Sequence, residues 1–141
     1  MQVFIVGSPL ETAQILDKKR LNRQIQEAKV ILDALNGAKA WSNHPCVLQY
    51  RGYEKWLENY RACLLRYYHG EIDRASTSNR WCEIIGKPPF HTQEYFDQMK
   101  RRLYAKDPVY YAQWVHLGES EDNWYFVDGE WRIYRNGKRI K

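Results

Sequence analysis

The 141-residue chain is poor in cysteine and has no long apolar run, and each scarcity narrows what it can be. Cys46, Cys63 and Cys82 are an odd number without regular spacing, which argues against a disulfide scaffold. No charged start leads into an apolar signal core, and no stretch is long enough to span a bilayer, so a soluble, reduced, cytoplasmic protein without membrane contact is expected. Internal repeats and low-complexity linkers are also missing. One compact domain is therefore expected, of a size that buries roughly 70% of the surface its unfolded chain exposes.

What is present is positive charge and aromatic surface. The formal net charge is +5, with 6 Trp and 11 Tyr. The cations cluster at Lys18-Lys19-Arg20, Lys100-Arg101-Arg102 and Lys138-Arg139. Clustered cations fit a polyanionic partner, and interleaved rings fit stacking on bases, although core packing accounts equally well for many of the rings.

Met1 to Val6 reads as an extended apolar segment. Ser8-Pro9-Leu10-Glu11 then starts a short helix that ends near Leu16: a serine cap, a proline in the first turn, and a glutamate three residues after the cap. Asp17 caps a second helix in which Leu21, Ile25, Ala28, Leu32 and Leu35 form an apolar stripe until Asn36-Gly37 stops it. After a connection containing Asn43-His44-Pro45, a helix over 53–68 carries Trp56, Tyr60, Cys63 and Tyr67 on one side. The stretch from Gly70 to Phe90 reads as irregular or weakly helical. A third long helix, over 92–105, has Phe96, Met99 and Leu103 as its apolar face. "VYYAQWVHL" is a short aromatic element, and Asp128-Gly129 between two aromatic, β-branched runs predicts a hairpin, with Asn136-Gly137 as a further turn. The expected fold is mainly α: a single-domain helical bundle over 1–115 with a small C-terminal β-hairpin, 116–141, packed on it.

At about 100° per residue, Arg20, Arg23, Gln24 and Glu27 share a sector outside the apolar stripe. Together with Lys18 and Lys19 they form the sharpest candidate site. Cations in the first turns of a helix oppose its dipole, at a cost of a few tenths to about 1 kcal/mol unless an anion compensates. A solvated basic face is the alternative. A zinc site from His44, Cys46, Cys63 and His69 lacks the paired short intervals of structural zinc sites, so no metal is expected.

The order "LDKKRLNRQIQEAKVIL", "WSNHPCVLQYRGYEKWLENY", "PPFHTQEYFDQMKRRLYAKDPVYYAQW" resembles the pyrimidine-dimer DNA glycosylase family of endonuclease V-like enzymes, in its short bacterial and phage form. The likeness runs from about Phe4 to Trp114. It implies a helical protein that binds double-stranded DNA, flips a nucleotide, attacks the sugar with its N-terminal α-amine and cleaves the strand as a lyase, without metal or organic cofactor; a monomer is expected. An α-amine with a pKa near 8 is partly neutral at physiological pH, and the imine it forms is an electron sink for β-elimination.

Carried over position by position, the resemblance places catalysis at Arg23 and Gln24, and Glu27, one turn onward on the same face, joins them as a candidate. It places DNA contacts at Arg20, Arg23, Lys100, Arg101, Lys106, Tyr110, Tyr111 and Trp114; Lys18 and Lys19 are DNA-contact candidates from the basic start of the helix, and His44 and His91 are candidates for phosphate contact or acid–base work. Two positions depart from the family. Gln2 stands where a threonine is exposed, and Gln24 stands where the family has a carboxylate; an amide cannot be a general base. Glu27 could supply the carboxylate, and Lys18 or Lys19 the amine. The leading expectation is a repair-type DNA glycosylase, a hydrolase with an added lyase step. The alternatives are a DNA-binding scaffold without the chemistry, or a protein-interaction module using the C-terminal hairpin.

Overall fold

The computed structural model describes residues 2–71 and 86–141. Segment 72–85, which holds Cys82 and most of the stretch read as irregular or weakly helical, lies outside the described residues. Helix α1 (Pro9–Ile15) begins with the expected reciprocal cap: Ser8 Oγ accepts from Glu11 N at 3.1 Å, and Ser8 N donates to Glu11 Oε1 at 3.4 Å. Helix α2 (Lys18–Leu35) is capped by Asp17 and stops at Asn36-Gly37, where Gly37 takes φ +110°. A four-residue turn of helix, α3 (Pro45–Leu48), follows, and then α4 (Glu54–Tyr68) and α5 (Gln93–Lys106), the latter capped by Thr92.

The aromatic stretch after α5 forms a 3₁₀ helix, Ala112–Leu117, against α5. The chain ends in antiparallel strands β1 (Asn123–Val127), β2 (Glu130–Arg135) and β3 (Lys138–Arg139). Asp128-Gly129 and Asn136-Gly137 both have positive φ at each central residue, as a type I′ turn requires, so two tight turns build a three-stranded meander where a single hairpin was expected.

The fold is mainly α, and its core is built around α2 packed along α4. Val3, Ile5, Ile31, Tyr50, Leu57, Tyr60, Tyr95 and Leu103 are among the fully buried side chains. Residues 2–6 carry no assigned helix or strand, residues 3–6 are buried in this core, and side chains take up part of their backbone: Val6 N donates to Thr12 Oγ1 at 3.2 Å. The meander joins the same core through Tyr125 and Val127, and Phe126 N donates to Gln49 Oε1 at 3.3 Å. Cys46 is a buried free thiol. Among the described residues no helix is long and apolar enough to cross a membrane.

Candidate nucleic-acid interface

The outer face of α2 is not uniformly solvated. Gln24, expected beside Arg20 and Arg23 on the polar sector, is 1% exposed. Its Oε1 accepts from Phe4 N at 2.8 Å and from Tyr60 OH at 3.2 Å, and its Nε2 donates to the Gln2 carbonyl at 3.0 Å. One amide thus ties the extended N-terminal segment to α2 and α4. An amide suits this position because it offers a donor and an acceptor at once; a carboxylate would confront the Gln2 carbonyl with a second acceptor. Gln24 thus clamps the N-terminal segment in place, and it also lines the cavity that holds the cations.

Around the clamp lies a cavity of about 530 Å³ between the N-terminal segment, α2 and α5. It is lined by Lys19, Arg20, Arg23, Arg102 and Lys106, with Glu27 as the carboxylate among the lining residues, and with Gln2, Phe4, Asn22 and Gln26 between them. Glu27 Oε1 lies 3.1 Å from Arg23 Nε. Gln2 Oε1 receives Arg102 Nε and Nη2 at 3.1 and 2.7 Å. Phe4 has the Arg102 guanidinium 6.0 Å and the Lys106 ammonium 5.8 Å from its ring centre. Burial works against the charge on Lys106, and the neighbouring Arg102 and Arg20 add to the effect, so its pKa is lowered. Sequence reasoning missed Arg102 as a site residue and named Gln2 only as a departure from the family. The first stood in a recognised basic triplet, but nothing in one sequence shows that α5 packs beside residue 2.

The remaining predicted site residues are used elsewhere. Arg20 lines the cavity but is spent on Asp17, with Nη1 3.2 Å from Oδ1, and on Asp107 at 3.7 Å. These acidic partners answer the charge–dipole cost that had hinted at a bound phosphate. Burial pushes the Asp17 carboxyl up, but the hydrogen bonds from Tyr111 and Arg20 prevail and hold it below the usual carboxylate range. Lys18 lies 5.6 Å from the ring centre of Tyr68, Lys100 lies 5.8 Å from that of Trp114, and Arg101 donates to the Leu117 carbonyl at 3.0 Å.

Tyr111 and Trp114 are buried and stacked at 5.4 Å, so they are core rather than DNA-contacting residues; Tyr110 is exposed. His91 is buried, within 3.0 Å of Tyr50 Oη, and burial followed by the Lys87 charge drives its pKa down to about 3. It sits in an aromatic cluster with Tyr50, Trp56, Phe90 and Tyr95 and lines a second cavity with Lys87 and Lys100. His44 caps α3, accepting from Cys46 N at 3.1 Å, and burial lowers its pKa as well.

The cavity thus gathers positive charge on a mainly α scaffold, the kind of surface that attracts anions. Residues 1–69 match the family model described as pyrimidine dimer DNA glycosylase, in agreement with the resemblance carried by the motifs. The matched segment supplies Gln2, Phe4 and the α2 side of the cavity, while Arg102 and Lys106 on α5 lie beyond it. No curated protein and no solved structure matches the chain.

Proposed function

We propose that the protein is a repair-type DNA glycosylase that receives a nucleotide of duplex DNA in the cavity between the N-terminal segment, α2 and α5. The observation that carries this reading is the set of cations around one carboxylate on the helix that the family model covers. Lys19, Arg23, Arg102 and Lys106 hold phosphates on either side of the target. Glu27, ion-paired to Arg23, is the group able to move a proton at the sugar.

The amine is sought among the residues that face the cavity. Lys19 and Lys106 do, whereas Lys18 does not. The depressed pKa of Lys106 raises its neutral fraction, which is what attack at C1′ requires. In the lyase step the amine adds to the ring-opened abasic aldehyde and expels water. Glu27 then takes a C2′ proton, and the C3′–O bond breaks with the phosphate as leaving group.

The deciding experiment offers duplex oligonucleotides carrying a thymine dimer, an abasic site or no lesion, followed by borohydride. Strand cleavage with a trapped adduct is expected, and mass spectrometry separates an adduct on the N-terminal peptide from one on Lys19 or Lys106. Binding without adduct or cleavage favours the second reading, a DNA-binding scaffold without chemistry. The specific observation behind that reading is Gln24, an amide where the family resemblance expects a carboxylate, fully engaged in hydrogen bonds. The hairpin-mediated interaction module loses its motive, because Tyr125 and Val127 are buried in the core and Trp124, Phe126 and Trp131 pack against it.

A further inference from the structure

Trp41 is the feature next to the site that the proposed chemistry does not use. It is 52% exposed, and its backbone sits at φ +66°, in the left-handed region. A bulky side chain is rarely placed there, and such outliers concentrate at ligand-binding positions. The turn that sets it is closed on both sides: Ser42 N donates to the Lys39 carbonyl at 3.4 Å, and His44 N to the Trp41 carbonyl at 3.0 Å. The indole meets the His44 ring edge-on at 5.5 Å. That ring is itself fixed by capping α3 and by an edge contact with Tyr125 at 5.7 Å. The exposed indole is therefore held in place rather than left to rotate.

Trp41 lines a shallow cavity of about 280 Å³ with Arg23, Gln26, Glu27 and Val30. Arg23, Gln26 and Glu27 also line the main cavity, so the two cavities share a wall. We propose that Trp41 is a stacking platform for an unpaired nucleobase, seated in this side cavity while Arg23 holds the adjoining phosphate and the Gln26 amide faces the base edge. An aromatic face beside a guanidinium and an amide offers what an unstacked base presents: a π-surface, a neighbouring negative charge, and hydrogen-bonding groups. The assignment rests on the DNA-binding reading above, and it gives His44 the role of buttressing Trp41 rather than touching DNA.

The test measures affinity by fluorescence anisotropy for two duplexes of one sequence, fully paired or with a central abasic site that leaves the opposite base unpaired. Wild type, Trp41→Ala and Trp41→Phe are compared. Trp41→Ala is expected to lose about 5- to 160-fold on the abasic duplex, the range for losing one base–aromatic stack, and less than about 2-fold on the paired one. Trp41→Phe should recover most of the loss, which separates the ring from any local unfolding. Unchanged affinity in Trp41→Ala, or an equal loss on both duplexes, overturns the assignment while leaving the DNA-binding reading intact. A wild type that binds neither duplex overturns both.

Discussion

The basic triplets Lys18-Lys19-Arg20 on α2 and Lys100-Arg101-Arg102 on α5 look interchangeable in sequence, yet their members are used differently. In α2 Lys18 lies over Tyr68, Lys19 faces the cavity, and Arg20 lines the same cavity while paired to Asp17. In α5 Lys100 lies over Trp114 and Arg101 donates to the Leu117 carbonyl, both away from the cavity, while Arg102 reaches the cavity with its guanidinium held by Gln2 Oε1 and the Glu121 carbonyl. Consecutive helical residues are about 100° apart, so a run of cations cannot share one face. What decides each role is the partner that tertiary packing delivers, and a charge cluster in sequence is a poor measure of charge at a site.

The sharpest way to break this contrast is to disturb the clamp on which the cavity rests. Gln24→Ala leaves Phe4 N, Tyr60 OH and the Gln2 carbonyl without their buried partner, and is expected to cost about 3–5 kcal/mol of stability in chemical denaturation. Gln24→Glu restores the carboxylate of the family pattern, but in a buried setting against a carbonyl, so its folded pKa is raised. A raised carboxyl pKa contributes stability that is present below about pH 4.3 and lost as pH rises through the folded value. The variant should therefore fall further behind wild type with increasing pH, and should gain no cleavage activity. Faster cleavage in Gln24→Glu would show that position 24 takes part in the chemistry after all.

His91 gives the next largest effect and the opposite pH direction. Its folded pKa is near 3, so between about pH 6.5 and 4.5 the unfolded chain takes up a proton that the folded chain refuses. Stability present above pH 6.5 should fall through this window by roughly 1.4 kcal/mol per pH unit. His91→Phe keeps a ring in the cluster and should flatten the dependence, with DNA affinity at neutral pH unchanged. A loss of affinity in that variant would return His91 to the interface.

The triplets themselves are compared through salt. Arg102→Ala removes a cation facing the cavity, and should lower the log–log salt slope of duplex binding by about 0.9 if it meets one phosphate. Arg101→Ala should leave the slope alone and cost stability, because Arg101 holds the 3₁₀ helix. Equal slope changes in the two variants would erase the distinction drawn between them.

Much of the scaffold was readable because its signals are local. The Ser8–Glu11 box, the Asp17 and Thr92 caps, the Asn36-Gly37 stop and the paired turns at Asp128-Gly129 and Asn136-Gly137 each act within a few residues. The site was readable only on its α2 side. Periodicity placed Gln24 with the cations, but burial depends on what covers a helix, and residues 2–6 cover that strip. Arg102 joined the site through a contact 100 residues away in the chain, to Gln2. Tyr111 and Trp114 were read as interface because aromatic residues next to cations look alike whether they stack on bases or on each other. Trp41 gave no signal at all, since a positive φ at tryptophan cannot be read from composition or spacing.

Trp41 also yields the smallest stability change, and the one that best separates folding from recognition. Glycine adopts φ near +66° without a steric cost, while an L-residue there gives up roughly 1 kcal/mol or more. The indole recovers part of this by packing on His44, and glycine adds freedom to the unfolded chain. Trp41→Gly should therefore be neutral or stabilising by up to about 1 kcal/mol in chemical denaturation, while losing the preference for the abasic duplex. A residue whose removal costs no stability but weakens recognition is held in its strained turn for the ligand. A destabilisation above about 1 kcal/mol would instead make the indole part of the fold's own packing.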